Sequence, residues 1–253
     1  MRWTGGARCC GSTRLAHSQV VDMSLRAPLY AAWLLVFVAL PAGAQTVQLW
    51  PEVDVLVRLN SKTRLLLIAT TVKEDDQVTD GEFGVSFDVH LKPIRRAPAL
   101  LFQLDESKNQ VLTIRTGYRY LPSYSGGSTE NRGLLEATAR YPLTRHFGHV
   151  LLSNRNRIDF RVIDGEYSWR YRNRLSTERE LSVGPVRVNP YSRFEVFYDS
   201  RFGEFSKTEL MVGASFPITT YCELEGYFDH QLDTGHSPNR TTEAVGAVAT
   251  FYF

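Results

Sequence analysis

Arg170, Arg172 and Arg174 stand at alternate positions, and Arg155, Arg157, Asp159 and Arg161 repeat the spacing. A period of two is that of a β-strand, whose alternate side chains share one face. Guanidinium groups on neighbouring strands lie roughly 5 Å apart and repel unless carboxylates or water stand between them. The region 111–178 adds Arg115, Arg119 and Arg140 to this face, against Glu136, Asp159 and Glu178. The region 187–231, with the stretch around 52–58, has the opposite bias. It places Glu195, Asp199, Glu209, Glu223, Glu225, Asp229, Glu52 and Asp54 on one face, against Arg193, Lys207 and Arg58.

A basic wall facing an acidic wall has two chemical uses. In a water-filled lumen it sets up a transverse field that orients dipolar solutes. If the walls meet, they knit into ion pairs that fill the interior, for which the arginine fork is well suited. A barrel of about twelve strands lies between filled and porin-sized lumens. The paired, barely permeable state is the expectation, and a passive solute channel is the alternative.

Hydrolytic chemistry is a third reading. Asp229-His230-Gln231 and His236-Ser237-Pro238 bring two imidazoles and a hydroxyl near one strand end. A base beside a hydroxyl is the minimum for a nucleophile, as in outer-membrane lipid hydrolases. His236 falls in a loop, however, and His230 takes the lipid-facing parity, so no catalytic residue is assigned. Cys9, Cys10 and Cys222 show no zinc-ligand spacing, and the Gly-Gly pairs at 5–6 and 126–127 lack a following Lys-Ser/Thr. No metal or cofactor is expected.

These residues need strands to hold them, and alternation recurs after Gln45. Val53, Val55 and Val57 alternate with Asp54 and Arg58; Phe83, Val85, Phe87 and Val89 alternate with Ser86, Asp88 and His90. About twelve strands are predicted: 48–59, 63–73, 82–92, 99–105, 111–121, 133–141, 149–162, 166–183, 187–200, 205–216, 219–231 and 240–253. The expected fold is all-β, an antiparallel up-and-down transmembrane barrel of about twelve strands, with ten as the alternative. Charged faces argue against a soluble sandwich, whose core would bury that charge unpaired. Aromatic residues near strand ends (Trp50, Tyr120, Tyr141, Tyr167, Tyr198, Phe216, Tyr221) suit membrane interfaces. Asn154 and Asn156 fall on the lipid-facing parity, which a bulge near 153–156 would repair. An even strand count would put Phe253 and the start of the first strand at the same end. The connections 122–132 and 232–239 would lie outside and the short ones inside, with 74–81 longer than that rule prefers.

The segment before the strands reads as a leader over 1–44. Arg26 precedes the apolar run Leu29 to Leu40, and Ala42-Gly43-Ala44 offers a cleavage site before Gln45; Met23 is a plausible true start. Twelve apolar residues are too few to span a bilayer. The whole chain carries 29 Lys+Arg against 27 Asp+Glu, and its balance after the leader is about −1, which gives no nucleic-acid signal. The 45–253 segment reads as one barrel domain. In its last strand Phe253, Phe251, Ala249 and Val245 share one face, and Phe251 with Phe253 resembles the assembly signal of outer-membrane barrels. The expected location is the outer membrane of a diderm bacterium. The expected partners are outer-membrane lipid and, during biogenesis, periplasmic chaperones and the assembly machinery.

The stretches 151–175 (LLSNRNRIDFRVIDGEYSWRYRNRL) and 190–202 (PYSRFEVFYDSRF), with Trp50-Pro51-Glu52-Val53, resemble a bacterial family catalogued as domain of unknown function twenty-four-ninety. The resemblance covers most of residues 48–253 and fits least around 93–110. It implies an outer-membrane barrel and no particular activity.

The leader generates a first test. Processing after Ala44 should leave a product that fractionates with the outer membrane and shows heat-modifiable gel mobility. A periplasmic product soluble without detergent would refute both the location and the barrel type.

Overall fold

The computed structural model describes residues 46–94, 104–143, 150–184, 186–235 and 237–253. They lie within one compact unit, Gly43–Phe253. The expected leader lies outside the described residues. Twelve strands form among the described residues: β1 Thr46–Arg58, β2 Thr63–Glu74, β3 Gln77–Pro93, β4 Gln110–Leu121, β5 Glu130–Pro142, β6 Val150–Ile163, β7 Glu166–Arg179, β8 Leu181–Val183, β9 Val186–Asp199, β10 Glu204–Pro217, β11 Cys222–Asp233 and β12 Arg240–Tyr252. All but β8 pair in chain order, β7 with β9, and β12 returns to β1 to close a barrel of eleven staves. The three-residue β8 pairs only with β9.

The alternation of the sequence becomes an inside-out distribution of side chains. Arg119, Asp88, Asp159, Glu195 and Asp229 are enclosed, each no more than 2% exposed, while Phe160, Leu175, Phe194, Leu210 and Val245 are 45–50% exposed on the outer face. Charged residues are rarely enclosed unless paired. An apolar exterior around a polar interior is the pattern of a barrel in lipid. Outward aromatics gather toward both rims. Near the Thr46 end, Phe83 pairs with Tyr120 and Phe160 with Trp169; Trp169 also stacks on Tyr198 at 5.4 Å. Near the Phe253 end stand Tyr141, Phe216 and Tyr221. Trp50 departs from the expected girdle. It shares parity with Gln48 and Glu52, so it points inward and packs on a cluster of Tyr191, Met211, Tyr227 and Val248. Tyr227 lies flat across Gly246 of β12. A Cβ at Gly246 would fall 1.9 Å from the Tyr227 Cζ, so any larger residue there would displace the ring.

Four details differ from the sequence-based expectation. The stave predicted over 99–105 is missing where it can be seen: 99–103 lie outside the described residues, and Leu104-Asp105 lead into a short 3-10 helix, Glu106–Asn109. The ring therefore has an odd number of staves, and its first and last strands run parallel. Thr46 pairs with Thr242 and Leu56 with Tyr252, so Phe253 sits at the opposite end from Thr46. The segment 74–81 is no long connection. Asp75 and Asp76 take positive φ (49° and 64°) in a two-residue hairpin, and β3 begins at once at Gln77. Asp tolerates that conformation better than most residues, and the turn matches strand twist. The connection 94–109 lies at the Phe253 end, where β3 ends and β4 begins, and its described residues 104–109 bond to lumen side chains.

The parallel seam can be tested by cross-linking. Val53 and Ala249 are register partners and both face outward. Neighbouring strands bring Cα atoms within the span of a disulfide. In a chain whose other cysteines are replaced, Val53→Cys with Ala249→Cys should oxidise to a bridged form with shifted gel mobility. Val53→Cys with Val245→Cys, four residues out of register, should not. Bridging of the second pair in preference to the first would refute the register.

Candidate functional site

The charged interior is the candidate site, and Glu195 is its most heavily shared carboxylate. It lies on β9 beside β7, facing the arginine ladders of β6 and β7. Arg172 grips it with two bonds, Nε to Oε1 at 2.7 Å and Nη2 to Oε2 at 3.1 Å. Arg155 Nη2 reaches both oxygens at 2.8 and 3.0 Å, and Arg174 Nε donates to Oε2 at 2.6 Å. Arg174 also meets Glu209 at 3.2 Å, and Arg155 meets Glu136 at 3.7 Å. Phe197, two residues further along the same face, is 2% exposed and lies under Arg172, 4.5 Å from its ring centroid. Strand periodicity explains the convergence. Arg172 and Arg174 alternate on β7, and register sets Arg174 opposite both Arg155 and Glu195.

Nearer the Thr46 end a second set forms. Arg161 links two strands, donating to Glu130 at 2.7 Å and to Asp199 at 2.8 Å. Asp159 accepts from Arg157 at 2.5 Å and meets Arg170 at 3.3 Å. Arg132 donates to Glu130 at 2.6 Å. Arg119 fills the space over Gly84, 3.1 Å from Glu82, and donates to Ser86.

At the Phe253 end the 94–109 connection enters the set. Asp88 accepts from Arg115 (Nε, 2.6 Å) and Arg64 (Nε, 2.7 Å), and Arg64 Nη1 donates to Asp105 at 2.6 Å. Lys108 reaches Glu178 at 2.7 Å, Arg58 reaches Glu106, and Arg140 donates to Ser107, which is 1% exposed. Asp105 also caps the short helix by accepting from Ser107 N. These bonds latch residues 104–109 across the lumen mouth. A cavity of about 210 Å³ remains beside the latch, lined by Leu56, Arg58, Arg64, His90, Glu106 and Tyr252. Burial pushes the Asp105 carboxyl up. The Arg64, Lys108 and Arg140 cations outweigh it and hold the group far below the usual carboxylate range. Burial likewise lowers Lys108, and Glu178, Glu223 and Asp105 more than restore it, leaving the ammonium above its ordinary value.

The remaining predicted residues lie mostly on β11 and β1. Arg193 meets Glu225 at 3.2 Å and lies over the Tyr191 ring, whose hydroxyl bonds Glu225. Glu209 accepts from Gln231 at 3.4 Å, and Lys207 donates to the same Gln231. Thr70 donates to Glu52. Glu223 is enclosed on β11, and Asp229 and one oxygen of Asp54 are enclosed without a hydrogen-bond partner. Phe251 and Phe253 face outward at the seam, where Phe253 N donates to Leu56 O at 2.8 Å. His236 lies outside the described residues. His230 faces outward, and its Nδ1 lies 2.7 Å from Glu243.

Sequence reasoning did not count Arg64, Glu82, Asp88, Glu130, Arg132, Asp105 or Lys108 among the wall residues. The first five obey the same period of two. Glu130 and Arg132 fell before the predicted start of their strand, Asp105 closed the stave predicted over 99–105, and Lys108 fell in the predicted connection after it.

Comparison with known proteins gives one family. A family model described as Protein of unknown function (DUF2490) matches residues 79–242. No curated protein matches, and no solved structure matches.

The latch has a pH signature. A carboxylate held below its ordinary value stabilises the docked state in full above that value, about pH 4, and loses the contribution as pH falls. Amide-exchange protection of residues 106–109, corrected for intrinsic rate, should be flat from pH 8 to 5. Below about pH 4 it should fall by up to about tenfold per unit. Asp105→Asn should lower protection at neutral pH and flatten the acid limb; an acid limb as steep as the parent's would sink the assignment.

Proposed function

The chain belongs to the DUF2490 family of unknown function, so its role must be read from the barrel, and we propose that it is an outer-membrane β-barrel with a salt-bridged, barely permeable lumen and a structural role. The carrying observation is enclosure: Glu195, on which Arg155, Arg172 and Arg174 converge, is 1% exposed, and Asp159, Arg119 and Asp229 are no more than 2% exposed, where a water-filled pore would leave its lining charges wet. The outward apolar face and its aromatic rims support the lipid location. Lipid is then the standing partner, and the outward Phe251 and Phe253 are the residues offered to the assembly machinery. On this reading the protein is not an enzyme and binds no nucleic acid.

Buried pairs of this kind contribute little when intact relative to apolar packing, but breaking one is expensive. Glu195→Gln leaves three guanidinium groups without their shared carboxylate and should cost about 3–5 kcal/mol in detergent-based unfolding. The unaltered protein should give small or no steady conductance in planar bilayers. A steady conductance, with Glu195→Gln changing ion selectivity and leaving the unfolding midpoint where it was, would replace this reading with that of a passive solute channel.

A further inference from the structure

Asn154 and Asn156 face outward from the middle of β6. The registers of β6 with β5 and with β7 run without a shift through 153–156, so no bulge turns them inward. Asn173 of β7 joins them. Asn156 Nδ2 donates to Asn154 Oδ1 at 2.8 Å, and Asn173 Nδ2 donates to Asn156 Oδ1 at 2.9 Å and to Asn154 Oδ1 at 3.3 Å. Asn154 Nδ2 donates to Asn173 Oδ1 at 3.3 Å, and the Tyr171 hydroxyl donates to Asn156 Oδ1 at 2.6 Å. Three carboxamides carry six N–H donors. This network uses four, so Asn154 and Asn156 each keep one N–H, and Asn173 Oδ1 keeps a lone pair.

The cluster sits about 10–15 Å along the barrel axis from Val150, given strand rise and tilt. At a similar count of residues from the Phe253 end, the outward faces of β2 and β3 carry Leu67 and Phe87. Spare amide donors in hydrocarbon are costly because nothing there accepts them. The flanks are also unusual. Ala137 and Ala139 of β5 stand opposite Asn156 and Asn154, and small residues let a neighbouring backbone approach closely. On the other side Thr177 and Ser192 satisfy one another at 2.9 Å. The result is an uncharged polar patch of asparagines with small residues on its β5 side, bordered on the β7–β9 side by Leu175 and Phe194.

We infer that the outward asparagine cluster of β6 and β7 is a homodimer interface, occupied by the same cluster of a second copy. This rests on the membrane location proposed above. The chemical complement of a patch with spare amide donors and a spare amide acceptor, and no charge, is another such patch. A twofold axis along the membrane normal keeps both patches at one depth, and it makes the contact isologous, with Asn154 or Asn156 of one copy donating to Asn173 of the other. Another copy is the partner guaranteed to present that chemistry at that depth.

The test uses the full chain in membranes, with other cysteines replaced. Asn156→Cys should oxidise to a disulfide-linked dimer, and Val53→Cys, on the opposite side of the ring, should not. Asn154→Leu, Asn156→Leu and Asn173→Leu combined should weaken self-association in detergent or lipid at least tenfold while heat-modifiable mobility persists. If the triple variant fails to assemble, the single-cysteine pair still decides. A membrane-embedded protein that is monomeric and gives no Asn156→Cys dimer overturns this inference alone. So does a lipid that co-purifies with the parent and is lost in the triple variant. A chain soluble without detergent overturns the membrane reading itself.

Discussion

The sharing of buried carboxylates among several arginines is the interaction on which this barrel depends. Most of the eleven staves place charged side chains inward, and a guanidinium enclosed without a counter-charge would be prohibitively unstable. Glu195, Asp159, Glu130 and Asp88 each take two or more cations from different strands or strand positions. The planar guanidinium suits this because its donors point along fixed, divergent directions, and so one side chain ties two partners. Arg161 does so between β5 and β9, and Arg64 between β3 and the 94–109 connector. Ion pairs thus hold the inside of the wall together while hydrogen-bonded ladders hold its length.

The apolar part of the interior is small and lies at a particular place. Tyr191, Met211, Tyr227 and Val248, with Trp50, fill the lumen beside β1 and β12. The rows that would be most exposed by imperfect closure are thereby packed with aromatic rings, one of them seated on Gly246. The arginine-rich wall lies across the ring from this seam. The division of the interior into a packed side and an ion-paired side follows from which strands carry aromatic and which carry basic residues at inward parity.

Much of this was legible in the sequence because a period of two is a strong signal when both faces are extreme. The arginines of β6 and β7 and the carboxylates of β9 and β11 fall on inward positions from alternation alone, and the all-β barrel class follows from the same pattern. Three things were not legible. Trp50 looked like a rim residue because residue type was weighed over parity. The hairpin at Asp75-Asp76 was hidden because its residues resemble a polar loop, although they are also ones that accept left-handed backbone. The 104–109 latch was hidden because Leu104 and Asp105 read as the end of a strand; its position depends on Arg64, Lys108 and Arg140 meeting partners far away in the chain, which a local pattern does not encode. The parity of the ring turned on that one connector, since a stave there would have made the count even.

The parallel seam has a consequence for how the molecule comes together. Every other junction in the ring joins staves consecutive in the chain, where a connection of at most about sixteen residues holds the two partners near each other before they pair. The β1–β12 junction joins Thr46 to Thr242, about 200 residues apart, and its partners run in the same direction, so no hairpin leads into it. The entropy of closing so long a loop must be met before any contact there contributes. Staves can add one after another as an open, curling sheet, and the ring shuts in one late event that engages the Trp50–Tyr227 row all at once.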